Sequence, residues 1–137
     1  MGGYGALRVG LGYADRFCSA NSHSGAMLAG TRPPGKAGMF PTERKLIFGA
    51  KPAGSSHDLI ALAAKAKAAG KLPRLRIDCG TEDFLLDQNR EYHQKLGELG
   101  VGHEYEEFPG AHSWEYWDLH VREAIAFHCG VMKVKAV

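Results

Sequence analysis

What this chain can fold into is set most tightly by the order of its periodicities, in which helical and strand-like segments alternate from one end to the other. Residues 2 to 12 predict a helix, and Phe17 to His23 a short strand ending at the turn-rich Ser22-His23-Ser24-Gly25. Gly30 to Pro41 is rich in glycine and proline and reads as loop, and residues 42 to 50 read as a short helix. A clearer helix runs from Ser56 to Ala69, with Ser55 or Ser56 as N-cap, Asp58 in its first turn and Gly70 as its stop. Leu72 to Cys79 follows as a strand with Leu75 and Ile77 on one face. Leu86 to Leu99 carries Tyr92, Leu96 and Leu99 at helical spacing, and Gly100 closes it. His103 to Phe108 is a third strand, ended by Pro109-Gly110. Trp114 to Cys129 is the last helix, with Trp117, Val121, Ala124 and Ile125 as its inner stripe and Gly130 as its stop.

Strands separated by helices are the pattern of a parallel sheet with crossovers, so the expected class is α/β. Three strands are few for such a domain. A parallel sheet needs both faces covered, and an edge strand with free backbone groups needs a neighbour. The expected architecture is therefore the C-terminal portion of a larger α/β domain, with residues 1–137 forming one partial domain. No internal repeat or low-complexity linker divides it.

Composition narrows the function classes. The chain has 137 residues, 45% of them apolar, enough for one domain with a core, and a formal net charge of +2 gives no case for a nucleic-acid or membrane partner. The basic cluster Lys65, Lys67, Lys71, Arg74 and Arg76 lacks interleaved aromatics and reads as a solvated helix end and strand entry. Cys18, Cys79 and Cys129 are odd in number and far apart, which suits reduced thiols better than a disulfide framework. The seven histidines show no metal-binding spacing, so no metal is expected. Arg8 interrupts the N-terminal apolar run, no charged n-region precedes it, and no stretch approaches the ~20 apolar residues of a membrane span. The expectation is a soluble, cytoplasmic protein; an export signal upstream of Met1 is compatible with the same residues.

Catalytic chemistry is concentrated in two strand-end loops, Cys79-Gly80-Thr81-Glu82-Asp83-Phe84-Leu85 and Phe108-Pro109-Gly110-Ala111-His112-Ser113-Trp114. Ligands of parallel α/β sheets gather beyond the carboxyl ends of the strands, so an acid in one loop and a histidine in the next can meet there. The histidine would take a nucleophile's proton and return it to the leaving group, while the carboxylate fixes its tautomer and stabilises the imidazolium. Asp83 followed by His112 keeps the order acid then histidine. Each has a plainer role. Asp83 is also a suitable N-cap for the helix after it, and Glu82, Asp78 and Asp87 compete as the acid, although Asp78 lies in a strand and Asp87 in a helix. His112 is also compatible with an ordinary surface role. The cluster Trp114-Glu115-Tyr116-Trp117 can wall an acyl pocket or pack the last helix, and His23 is a weaker candidate for lining the site.

The N-terminus supplies the missing third party in outline only. Met1-Gly2 fits the last two positions of the G-x-S-x-G nucleophile elbow, whose serine would stand immediately before residue 1. Gly2 would then allow close backbone approach behind the serine. Gly3, Gly5, Gly10 and Gly12 each cost roughly 1 kcal/mol in a helix interior, and close packing of Gly3 and Gly10 against a sheet is the expected offset, beside Leu7 and Leu11. A start codon followed by a flexible tail explains Met-Gly-Gly equally simply. Myristoylation does not, because Ala6 stands where Ser or Thr is required.

Together, Met1-Gly2-Gly3-Tyr4-Gly5-Ala6-Leu7, Ser22-His23-Ser24-Gly25, the Gly80-Thr81-Glu82-Asp83-Phe84-Leu85 loop and Pro109 to Asp118 resemble the C-terminal half of the esterase family related to esterase D, including tributyrin-type esterases. The resemblance covers essentially the whole chain. It implies an α/β-hydrolase fold and a serine hydrolase of short acyl esters or thioesters, without a cofactor, in which Asp83 is the acid and His112 the base. Met1 and Gly2 would be the elbow and oxyanion remnant, and His23 and Trp114 pocket residues.

The departure from the family lies at the nucleophile. No G-x-S-x-G occurs, and the nearest match, Gly54-Ser55-Ser56-His57-Asp58, lacks the second glycine. The oxyanion-hole amide after the serine would here be the amine of Met1. Loss of a triad serine removes on the order of 10⁶ in turnover in a serine protease, so the 137-residue chain is expected to be close to inert. The preferred reading is a truncated or mis-started piece of a carboxylic ester hydrolase. The alternatives are a non-catalytic protein that self-associates or binds a partner through its open strand edge, and an acyltransferase of the same fold when full length, as in antigen-85-like enzymes.

Overall fold

The computed structural model describes residues 1–32 and 41–134. Its elements follow the order α1 (Gly2–Gly12), β1 (Ser19–His23), α2 (Pro41–Phe48), α3 (Leu59–Ala68), β2 (Arg74–Gly80), α4 (Leu86–Glu98), β3 (Glu104–Phe108) and α5 (Trp114–Met132). The strands form one parallel sheet in the order β1-β2-β3. Ala20 stands opposite Leu75 and Ser22 opposite Ile77, while Ile77 stands opposite Tyr105. Most of the expected loop at Gly30 to Pro41 lies outside the described residues, and Pro41 opens α2, where its missing N–H costs nothing.

The two faces of the sheet differ in chemistry. Helices α1, α3 and α4 pack together over one face, and α5 lies against β1 and β2 on the other. Under the first group sit Leu75 and Ile77 with Leu7, Leu11, Leu59, Leu62, Ala63, Tyr92 and Leu96, all buried in one cluster. Strands alternate their side chains, so Arg76 and Asp78 of β2 point the opposite way, towards α5, and both are buried. A buried face carrying charge must be paired internally. The Arg76 guanidinium donates from Nη1 to Asp78 Oδ1 at 2.5 Å and from Nη2 to Glu106 Oε2 at 2.8 Å.

That polar face explains why the last helix departs from its predicted stripe. Among its residues Tyr116, His120 and Ala124 are buried, whereas Val121 and Ile125 are 40% and 50% exposed. Tyr116 and His120 meet polar and aromatic partners beneath them: the Tyr116 hydroxyl donates to Asp78 Oδ2 at 2.9 Å, and the His120 ring stacks on Phe108 at 4.1 Å. The helix also runs past Gly130 to Met132 and ends at Lys133 in the left-handed region, φ 56°. Two further boundaries shift. β1 begins at Ser19, leaving Phe17 exposed. α3 begins at Leu59, and its N-cap is Asp58, which accepts from the Ile60 and Ala61 amides; Ser55 instead bonds back to the Pro52 carbonyl.

Helix α1 reaches the sheet through two of its glycines. A Cβ on Gly3 would lie 2.3 Å from Ser22 Oγ and 2.9 Å from the His23 carbonyl oxygen, and one on Gly10 would lie 2.8 Å from Ala20 Cβ. Gly2, Gly5 and Gly12 face open space, so the close approach expected at Gly2 falls at Gly3. Leu7, fully buried between those two contacts, is expected to carry a large packing share. Urea denaturation of Leu7→Ala should show a loss of about 2–5 kcal/mol. Leu46→Ala, at an 82% exposed position, should stay within about 0.5 kcal/mol of the unaltered chain.

Candidate active site

The loops that leave β2 and β3 are bonded to each other before either reaches a helix. Thr81 N donates to the Phe108 carbonyl at 2.9 Å and Glu82 N to the Gly110 carbonyl at 3.0 Å, while the Gly110 amide donates to the Glu82 carboxylate. That amide and the Thr81 hydroxyl hold the Glu82 carboxyl below its usual range. The approach is so close that a Cβ on Gly80 would lie 2.1 Å from the Gly110 carbonyl oxygen. Gly110 itself has φ 139°, a region that disfavours side chains, and a Cβ there would stand 2.7 Å from Tyr116 Cδ2.

This stitching brings Asp83 and His112 together. Asp83 Oδ2 lies 2.8 Å from His112 Nδ1, and the carboxylate is fully buried. Its other oxygen accepts the Leu85 amide at 2.8 Å, so both acceptor atoms are engaged. Asp83 does not cap α4, whose N-cap is Leu85. An ionised carboxylate accepts only, so with Asp83 ionised this contact assigns a proton to Nδ1 and turns Nε2 away from the carboxylate. The His112 ring, 25% exposed, sits 4.8 Å from Phe84 and 4.8 Å, edge to face, from Trp117.

The competing acids are otherwise occupied. Glu82 is bound to the Gly110 amide, Asp87 lies in the first turn of α4, and Asp78 is bonded to His23 Nδ1 at 2.8 Å. That second imidazole–carboxylate pair was not anticipated from the sequence. Its signal is the alternation Arg74-Leu75-Arg76-Ile77-Asp78, in which the charged positions share one face.

A cavity of about 490 Å³ lies beside His112. It is lined by Met1, Gly2 and Gly3 at the N-terminal end of α1, by His23 from β1, and by Trp114 and Trp117 from α5. Met1 is the N-cap of α1, so the unpaired first amides of that helix and its positive end lie at the same cavity. Trp114 is 79% exposed and stands edge to face with Trp117 at 5.2 Å. Among the described residues no group of three or more His, Cys, Asp or Glu is placed to hold a metal, and no helix is long and apolar enough to cross a membrane.

The sequence matches the family described as "Putative esterase" over residues 1–128. The chain belongs to that family. It is 34% identical over 133 residues to an acetyl esterase of Caldicellulosiruptor saccharolyticus, covering 90% of this chain and 50% of that protein. Among solved structures it resembles fluorophosphonate-binding serine hydrolase F of Staphylococcus aureus in its substrate-bound form, at TM-score 0.76 and 28% identity, covering 93% of this chain and 50% of that one. An S-formylglutathione hydrolase of Staphylococcus aureus follows at TM-score 0.72 and 30% identity, covering 93% and 51%. The fold is thus a portion of the α/β-hydrolase fold, and the chain spans about half the length of the relatives it matches.

The contact between Gly80 and Gly110 gives a direct test of how His112 is held. Gly80→Ala is expected to push the loop away and cost about 1–3 kcal/mol in urea denaturation. Gly97→Ala, in open space on α4, should stabilise the protein by roughly 0.5–1 kcal/mol in the same measurement.

Proposed function

We propose that this chain carries the acid–base machinery of a carboxylic ester hydrolase acting on short acyl esters or thioesters, with a serine directly preceding Met1 as nucleophile. The observation that carries this reading is the 2.8 Å contact between Asp83 and His112 at a cavity shared with the N-terminus of α1. Family membership and the ester hydrolases among its relatives support it.

Asp83 holds the Nδ1 proton, which leaves His112 Nε2 free to accept the serine proton as Oγ attacks the acyl carbon. The amides at the start of α1 suit the oxyanion of the tetrahedral intermediate. Collapse of that intermediate breaks the acyl–oxygen or acyl–sulfur bond, and the imidazolium returns its proton to the leaving alcohol or thiol. Water, deprotonated by the same nitrogen, then releases the acid and restores the serine. No step requires a cofactor. Trp114 and Trp117 bring aromatic surface to the cavity, which suits a small acyl group.

The test begins with the DNA immediately upstream of the Met1 codon, which is expected to encode, in frame, a segment ending Gly-x-Ser. Protein made from that longer frame should hydrolyse p-nitrophenyl acetate and react with a fluorophosphonate at that serine, and the 137-residue chain should not react. Asp83→Asn in the longer protein should lower kcat by about 10⁴, and His112→Ala by on the order of 10⁶. An in-frame stop codon with no Gly-x-Ser, or an Asp83→Asn protein within tenfold of full activity, defeats the reading.

A further inference from the structure

We infer that Tyr116 is a positioning residue for His112, locking the loop that carries the imidazole by tying it to a buried carboxylate on β2. The inference rests on the proposed function only in treating His112 as a catalytic base; the placement of the loop is independent of that reading.

The segment from Gly110 to Tyr116 closes on itself. Tyr116 lies in the first turn of α5, and its ring folds back beneath Gly110, where a Cβ would stand 2.7 Å from Tyr116 Cδ2 and 3.5 Å from Tyr116 Cγ. His112 is carried between these two points. The Ser113 amide donates to the Ala111 carbonyl at 2.9 Å and the Trp117 amide to the Ser113 carbonyl at 3.2 Å, so little slack remains within the loop.

What fixes the Tyr116 ring is its hydroxyl. Burial and the neighbouring Asp78 carboxylate push the phenol well above its usual pKa, so it remains a donor, and it donates to Asp78 Oδ2 at 2.9 Å. Asp78 is fully buried and cannot follow a moving partner, because Arg76 holds its other oxygen and His23 shares Oδ2. The path from β2 to the imidazole therefore runs through Asp78, the Tyr116 hydroxyl, the Tyr116 ring and Gly110. Glycine at 110 is required by this contact as well as by its φ of 139°. Without the hydroxyl bond the ring is free to tilt, Gly110 follows, and the 2.8 Å tether between His112 and Asp83 opens more often.

The experiment uses the 137-residue chain, histidine-labelled with ¹⁵N, and reads the exchange of the His112 Nδ1 proton with water by NMR. Tyr116→Phe keeps the ring beneath Gly110 and deletes only the hydroxyl. The expected result is exchange about tenfold faster, the weight of one ordinary hydrogen bond. Tyr105→Phe is the control for general loosening, because it deletes another hydroxyl–carboxylate bond, 2.7 Å to Glu107, on β3. It should leave the His112 proton unchanged. Exchange within twofold of the unaltered chain in Tyr116→Phe, equal acceleration in both variants, or a His112 proton already unprotected in the unaltered chain overturns the inference. In the longer-frame protein, Tyr116→Phe should lower kcat about tenfold with KM unchanged. If exchange accelerates while the longer protein has no esterase activity, the positioning stands and the functional reading fails.

Discussion

The ion pair between Arg76 and Asp78 is the interaction on which the α5 side of this molecule depends. β2 sits in the middle of the sheet, so both of its faces are covered, yet its sequence places a cation and an anion on one of them. Burying either alone would cost several kcal/mol, and removing one partner of a buried pair typically costs about 3–5 kcal/mol. Paired at 2.5 Å, the two become a platform with spare hydrogen-bonding capacity. Asp78 uses it to accept from His23 and Tyr116, and Arg76 to donate to Glu106 and, at 3.3 Å, to Asn21. All three strands and α5 are thereby joined by polar contacts, where the opposite face relies on apolar packing.

This division of labour suits a site at the strand ends. Apolar packing holds α1, α3 and α4 on the sheet, but it is weakly directional and does not fix an imidazole to a fraction of an ångström. Hydrogen bonds to a buried carboxylate do, because each acceptor lone pair admits a donor over a narrow range of positions. The loops carrying Asp83 and His112 combine both devices: two glycines permit backbone contact, and Glu82 and Tyr116 hold Gly110 from either side.

Much of this was legible in the sequence wherever local chemistry decides the outcome. The helix and strand order, the positive-φ glycines 70 and 100 after α3 and α4, the Gly3 and Gly10 contacts and the meeting of Asp83 with His112 all follow from periodicity, turn residues and strand-end logic. What the sequence does not show depends on which residues the fold brings face to face. Of the apolar stripe Trp117, Val121, Ala124 and Ile125 on α5, Ala124 is buried and Trp117 half-buried, but Val121 and Ile125 are exposed; the face the helix covers is charged, so Tyr116 and His120 turn inward. The alternation in β2 marks Asp78 as sharing a face with Arg74 and Arg76, but not its pairing with His23, which lies 55 positions away in a register set by the parallel pairing of β1 with β2. Asp58 replaced Ser55 and Ser56 as a cap because its carboxylate reaches two amides at once, a distinction of geometry that composition does not carry.

Two imidazole–carboxylate pairs stand beside one cavity, and their surroundings differ. Asp78 faces a guanidinium at 2.5 Å and also receives the Tyr116 hydroxyl beside His23. Asp83 accepts only a backbone amide, from Leu85, besides its contact with His112. Both side chains line the cavity, His23 19% and His112 25% exposed, and the His23 Nε2 is buried without a partner among the described residues. One pair is therefore tied into the buried ion pair of the central strand and the other stands apart from it in the strand-end loops, although both present the same two residue types at the same 2.8 Å.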